Sequence, residues 1–404
     1  VHRKNKGDPP HVVTCAIEHP AVLVYLKMLE SQEKITLTTL PVDEEGSVQS
    51  AEVQSALTKN TALVTIMHSN NEVGTIQPIQ AIANIIKQYN ARQSTSVLFH
   101  SDAAQSLGKV TVDVEVLGVD MLTIVGHKFG APKGIAALCV ANHDRYLRSG
   151  LEGSPLLVGG GQEFGRRGGT ENVLMIAALG EAARIARVEA VATLFHLLRL
   201  KRRLVKALKR GCGALNLETD KDKAFIRFNG PERSSDDMEI TSDLSLLEMI
   251  LKQPSSSSSS SSKEQKGVTT EDWMKYSESC KYEDGEDEKD ADLIKRPKVF
   301  SAMSGTLVEQ LPNTVSVSFR NVHTQQLMPL LLSRVACSAG SACHSEAASG
   351  DILSPVLAAM RVPVEYGRGT LRLSFGRHTT EAEIDKAAAH IVESVSMLVQ
   401  MQRK

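Results

Sequence analysis
Between residues 11 and 141, short β-branched apolar runs alternate with stretches whose apolar residues return every three or four positions. "HVVTCAI" is followed by "AVLVYLKMLE", "KITLTTLP" by "AEVQSAL", and "ALVTIMH" by "PIQAIANIIKQY"; "SVLFHSD", "DMLTIVGHK" and "IAALCVA" add further strand candidates. Strand, helix, strand at this spacing predicts a largely parallel sheet covered on both faces. Ligands of such sheets sit beyond the carboxyl ends of the strands. The polar strand endings His68 to Asn71, His100 to Gln105 and His127 to Lys128 all fall there.

A long helical pattern from about Ala177 to Arg210 leads away from this region. After "IRFNGP" the character changes: residues 232–308 hold a run of eight serines, Ser255 to Ser262, and the acidic "YEDGEDEKDAD". Low hydrophobicity with clustered charge does not offset the entropy of ordering, so this stretch reads as a disordered acidic, serine-rich insertion, with a short helix at "LSLLEMIL". Order resumes with the strand signal "LPNTVSVSF", a helix around "TQQLMPLLL" and a last strand, "GTLRLSFG". Thr380 and Glu383 match a capping box before a long amphipathic run. The expected division is a large domain over 1–195 and a smaller α+β domain over 196–404 that contains the insertion.

Composition narrows the function classes. Lys+Arg at 46 against Asp+Glu at 47 gives a formal net charge of -1, so no global field favours nucleic acid or an anionic membrane. No apolar run approaches the ~20 residues needed to span a bilayer, and no secretory leader opens the chain. The six cysteines are scattered without a C-x-x-C pair, which argues for a reducing compartment and a cytoplasmic protein. The chain begins at Val1 rather than Met, so a targeting segment outside it, mitochondrial for example, stays compatible with the sequence. Zinc would need closer cysteine pairs with further ligands, and no metal is expected.

The chemistry concentrates around "TIVGHKFGAPKGIAAL". Taken alone, Lys128 is a solvated surface lysine. At a strand end it also matches the lysines held for Schiff-base chemistry. Pyridoxal phosphate enzymes pair such a lysine with an acid for the pyridine nitrogen, and "FHSDAAQS" offers Asp102. His100 lies two residues earlier, hence on the same face of a strand. The plain alternative for this segment is a strand end with a helix cap at Ser101 or Asp102. "VGGGQEFGRRGGTENV", with Thr170, is equally a set of turns or a phosphate loop.

"HSNNEVGTIQPI", "HSDAAQSLGK", "TIVGHKFGAPKGIAAL", "GGGQEFGRRGGTEN", "SAGSACHSE" and "TLRLSFGRHTTEAEID" occur in the order found in the NifS-like class V aminotransferase superfamily. Over about residues 11–231 and 309–400 the chain resembles its cysteine desulfurases and selenocysteine lyases. The resemblance implies a PLP-dependent transferase of fold type I, with a mostly parallel seven-stranded-type sheet, acting as a homodimer. It implies that Lys128 bonds pyridoxal 5'-phosphate, Asp102 pairs with the pyridine nitrogen, and His100 stacks on the ring and shuttles protons. Gln105 would bond the phenolic oxygen, His127 the phosphate, and Thr170 the phosphate of the partner subunit. Asn71 and Arg372 would hold the substrate carboxylate. Cys343, as thiolate, would take sulfur from L-cysteine or selenium from L-selenocysteine and release L-alanine, then pass the atom to an acceptor protein. Cys337 reads as a buried structural cysteine.

The chain departs from the pattern at three places. A segment with a Ser-Gly-Ala-Thr-like phosphate loop that family members carry before "HVVTCAI" is not in this sequence. Val125 stands where many desulfurases have a phosphate-binding serine. "HKFGAPKG" replaces the usual aromatic-Gly-Pro order after the lysine, which predicts an altered turn. The first departure motivates a second reading, a truncated or inactive member acting as a binding or structural protein; the retained set Lys128, Asp102, His100, Cys343 and Arg372 argues against it. A transaminase of the same fold would have no use for Cys343.

Overall fold
In a computed structural model of the chain, the residues described are 8–93, 95–141, 157–214, 224–231, 309–339 and 353–402. The alternating pattern becomes β1 (His11–Cys15), α1 (Pro20–Ser31), β2 (Thr36–Leu40), α2 (Ser50–Ala56), β3 (Thr61–Thr65), α3 (Ile79–Gln93), β4 (Leu98–Asp102), β5 (Met121–Val125) and β6 (Ala136–Val140). These strands form one sheet in the order β2-β1-β3-β4-β5-β6. All pairings are parallel except β5 with β6. Fold class and topology match the expected mostly parallel sheet, with six strands among the described residues where the resemblance implied a seven-stranded type.

Every strand but β6 runs the same way, so the ends of β1, β3, β4 and β5 open on one edge. The core beneath them is aliphatic: Val13, Val64, Ile66, Ile82 and Phe99 are buried, with α3 supplying Ile79, Ile82 and Ile86 from one helical face. α1 starts where expected, with Pro20 in its first turn and His19 Nδ1 accepting from Ala21 N–H at 3.2 Å.

The long helix predicted from Ala177 to Arg210 is two helices, α4 (Val173–Val188) and α5 (Ala190–Ala214). They break at Glu189, whose carboxylate accepts from Arg377 Nη1 at 2.9 Å. The halves have different surroundings: α4 leaves Val173, Leu174 and Ile176 exposed, whereas α5 buries Leu197, Leu200, Leu204 and Leu208. The expected domain boundary at residue 195 falls within α5.

A second, antiparallel sheet joins β7 (Ile226–Asn229), β8 (Thr314–Phe319) and β9 (Thr370–Ser374) in that order. "IRFN" carried no strand reading of its own; it becomes an edge because β8 supplies its partner. Its neighbours are α6 (Thr324–Leu331) and α7 (Glu381–Gln402). The capping box forms as predicted, Thr380 N–H donating to Glu383 Oε2 at 2.7 Å and Glu383 N–H to Thr380 Oγ1 at 3.2 Å. α5, α7 and β8 share one core of Leu200, Leu204, Val317, Phe319, Ile391 and Val395. Leu200 is fully buried there. Leu200→Ala is expected to cost about 2–5 kcal/mol of stability, measured by urea unfolding; a loss under about 1 kcal/mol would show that the α5 face is not a packed core.

The insertion 232–308, its expected short helix and Cys343 lie outside the described residues.

Candidate active site
The strand ends bring together much of what the sequence singled out. β4 delivers His100 and Asp102 to one face, and β5, paired beside it at Asp102 and Thr123, runs into the turn Gly126–Lys128. Gly126 is needed at the start of that turn. A Cβ there would come within 3.0 Å of Ile135, Ala131 and Leu179. The turn closes through Phe129 and Ala131 N–H groups on Gly126 O, at 3.1 and 3.0 Å, with Gly130 at φ +107°. "HKFGAPKG" thus still makes a tight turn, and Lys128 and His127 stand exposed on it.

Asp102 accepts from Ala104 N–H at 2.8 Å, holding its carboxylate at the strand end. A second carboxylate, not anticipated from the sequence, faces it from the loop after β1. Glu18 is buried; its Oε1 accepts from Met67 N–H at 2.5 Å and from the Cys15 thiol at 3.5 Å. Its Oε2 has no partner among the described residues. Burial, reinforced by the charge of Asp102 and offset in part by the Met67 N–H, pushes the Glu18 carboxyl up to about 8.

His100 is locked across three strands. Its Nδ1 bonds Thr65 Oγ1 on β3 at 2.8 Å and its Nε2 bonds Thr123 Oγ1 on β5 at 2.9 Å. Burial lowers its pKa against the pull of Asp102, so the ring is neutral near pH 7. Both ring nitrogens are engaged by threonine hydroxyls. His68, buried with Nδ1 on Ser106 Oγ at 2.8 Å, is taken down to about 4 by burial and ties the β3 and β4 loops together.

Asn71 and Arg372 meet: Arg372 Nη1 donates to Asn71 O at 2.9 Å. The loop that carries Asn71 is held by Gln310, whose Nε2 donates to Val73 O and Asn229 O. Lys201 Nζ donates to Gln310 Oε1 in turn, and burial brings that lysine down to about 7. The backbone of Arg372 also pairs with Ser338, N–H to O at 2.8 and 3.2 Å. The start of the cysteine-bearing segment is therefore anchored beside Arg372. Cys337, expected to be buried, is half-buried: it packs against the edge of the second core with its thiol on Met328 Sδ at 3.7 Å, and desolvation raises its pKa.

His127 has a pKa lowered by slight desolvation and by the charges of Lys128 and Lys133. Thr170 is exposed on the glycine-rich loop, which folds tightly on itself: a Cβ on Gly168 would lie 2.9 Å from Val158 O. Gln105 is half-buried on the turn after β4, and its carbonyl accepts from Lys109 Nζ at 2.7 Å. Lys109 is a further residue the sequence reading did not single out.

Among known proteins, the family Aminotransferase class-V matches residues 2–243 and 272–387. A cysteine desulfurase of Nostoc sp. is 32% identical over 389 residues, covering 96% of this chain and 72% of the relative. A selenocysteine lyase of Homo sapiens is 32% identical over 406 residues, covering 98% and 71%. A solved NifS-like protein superposes with TM-score 0.63 at 26% identity, covering 97% of this chain and 76% of that one. With its parallel sheet, its lysine turn and nearly all of its length aligned, the chain belongs to the class-V aminotransferase family.

Proposed function
We propose that this chain is a pyridoxal-phosphate-dependent lyase that takes sulfur or selenium from L-cysteine or L-selenocysteine and releases L-alanine. The observation that carries it is the convergence of Lys128, Asp102 and the Arg372–Asn71 pair on strand ends and loops of one compact unit, in a chain about 30% identical to enzymes of both names. The residues fit the cofactor. Asp102, with buried Glu18 behind it, is an acidic end that calls for a ring-nitrogen proton, and Lys128 rises from the neighbouring strand. When bound, the cofactor acts as an electron sink that makes the substrate's α-proton removable.

The chain's own residues then do the following. Lys128 Nζ holds the cofactor and exchanges the α-proton. The Asp102 carboxylate keeps a proton on the ring nitrogen. The neutral His100 ring, fixed by Thr65 and Thr123, orients the group above the sheet, and Gln105 and His127 hold its oxygen and phosphate. Arg372, one of whose five donors is used by Asn71 among the described residues, offers the rest to the substrate carboxylate. Cys343 follows anchored Ser338 by five residues, a reach of at most ~18 Å. Its thiolate attacks the substrate's chalcogen; the chalcogen–carbon bond breaks with its electron pair going to the substrate's β-carbon, which takes up a proton to become the methyl group of L-alanine, and a persulfide or selenopersulfide stays on Cys343 for an acceptor protein.

A second copy of the chain is part of this reading. Phe164 and Val158 are 94% and 87% exposed, and Val173 and Leu174 are exposed as well, four apolar side chains within 12 positions of Thr170 in the sequence, where a partner's cofactor phosphate would lie. No helix among the described residues is long and apolar enough to cross a membrane.

The test is alanine release from the purified, cofactor-loaded protein with L-cysteine and L-selenocysteine in parallel. Alanine from at least one substrate is expected, with Cys343→Ala lowering release from L-cysteine at least ~100-fold. Absence of alanine from both would favour the reading as an inactive member acting as a binding or structural protein.

A further inference from the structure
Lys109 is the least expected charge near the site. Its side chain is half-buried, with Nζ at the wall of a cleft of about 440 Å³ between the lysine turn, α5 and the β9–α7 loop. No carboxylate bonds it among the described residues: Glu189 is engaged with Arg377 and Glu383 with Thr380. It donates instead to two backbone carbonyls, Gln105 O at 2.7 Å and Lys128 O at 3.1 Å. Those carbonyls belong to turns that follow neighbouring strands, β4 and β5. Beside the clamp, Gly108 has φ +76°, and a Cβ there would lie 3.1 Å from Phe129 Cβ, so the two turns are also in close contact. Burying an ammonium is costly, and hydrogen-bonding surface lysines are spared that cost. Burial first, and the charge of Lys128 second, bring Lys109 down to about 8, which still leaves it mostly protonated at pH 7.

We propose that Lys109 is a positioning residue for the reaction: its ammonium clamps the backbone of Gln105 to that of Lys128 and so fixes the separation of the two side chains that hold the cofactor's ring oxygen and its reactive carbon. The inference rests on the reading of Lys128 and Gln105 given above. A displacement of about 1 Å at such a site costs up to ~100-fold in rate. A residue that only stabilised the fold would change unfolding and leave the cofactor's geometry alone.

The experiment compares the parent, Lys109→Met, Lys109→Arg and Lys128→Ala, each supplied with pyridoxal phosphate, by cofactor affinity, visible circular dichroism of the bound chromophore, kcat and KM. Lys109→Met is expected to keep the parent's far-ultraviolet spectrum, to lose more than about half of the visible dichroic band, and to lower kcat ~10–100-fold with KM within ~3-fold. Lys109→Arg, which keeps donors and charge in another geometry, is expected to fall between parent and Lys109→Met. A folded Lys109→Met with the parent's visible band and kcat overturns the inference alone. If Lys109→Met does not fold, Lys109→Arg decides, and a band and kcat equal to the parent's overturn the clamp. A parent without a cofactor band, or a Lys128→Ala protein that retains the parent's band, overturns the reading of Lys128 and the clamp with it.

Discussion

Lys128→Ala is expected to lower alanine release ~10²–10⁴-fold, the span of a positioned acid–base group, and to leave the fold intact. The side chain is exposed on a turn that is held by backbone bonds to Gly126 O and by the packing of Gly126 against Ile135, Ala131 and Leu179. None of these needs the Lys128 side chain, so thermal unfolding of the apoprotein should stay within a few degrees of the parent's. Two measurements separate the outcomes: alanine release with saturating pyridoxal phosphate, and cofactor retained after gel filtration. Full activity in the variant would remove Lys128 from the chemistry. Lost activity together with lost fold would mean instead that the turn depends on the side chain.

Glu18→Gln is expected to change how stability depends on pH. The folded carboxyl is pushed up to about 8, against an ordinary value near 4.5, by burial and by Asp102. Between those values the unfolded chain releases the proton while the folded chain keeps it, so the folded state binds more protons and the parent's stability falls as pH rises through this window. Each pH unit is worth about 1.4 kcal/mol, and the loss accumulates to about 4 kcal/mol near pH 8. Glutamine does not titrate, and its oxygen can still accept from Met67 N–H. The variant should therefore match the parent near pH 4.5 and exceed it increasingly toward pH 8 in urea unfolding. Parallel stability profiles would show that Glu18 is ionised in the folded protein.

The motifs were legible because they sit at strand ends. "FHSDAAQS" and "TIVGHK" each close an apolar run, and a parallel sheet gathers such ends on one edge, which is why the sequence alone places Asp102 and Lys128 side by side. The capping box at Thr380 and Glu383 was equally local, two groups three residues apart that bond each other. Glu18 and Lys109 were not legible. A glutamate before His-Pro and a lysine after a glycine are ordinary surface letters, and only burial among distant loops makes one hold a proton and the other bridge two carbonyls.

Periodicity and turn chemistry were enough for the order of strands and helices, since each depends on residues within one turn or one pleat of each other. They were not enough for the break at Glu189, because the helical pattern is continuous there and the partner, Arg377, lies far along the chain. The same limit applies inside the site. His100 meets Thr65 and Thr123, 35 and 23 residues away; Lys109 meets Lys128 across 19; Arg372 meets Asn71 across 301. Side-chain identity states which hydrogen bonds each group can make, while sheet register and loop packing select which of them are made. Desolvation then sets the charge that each group carries.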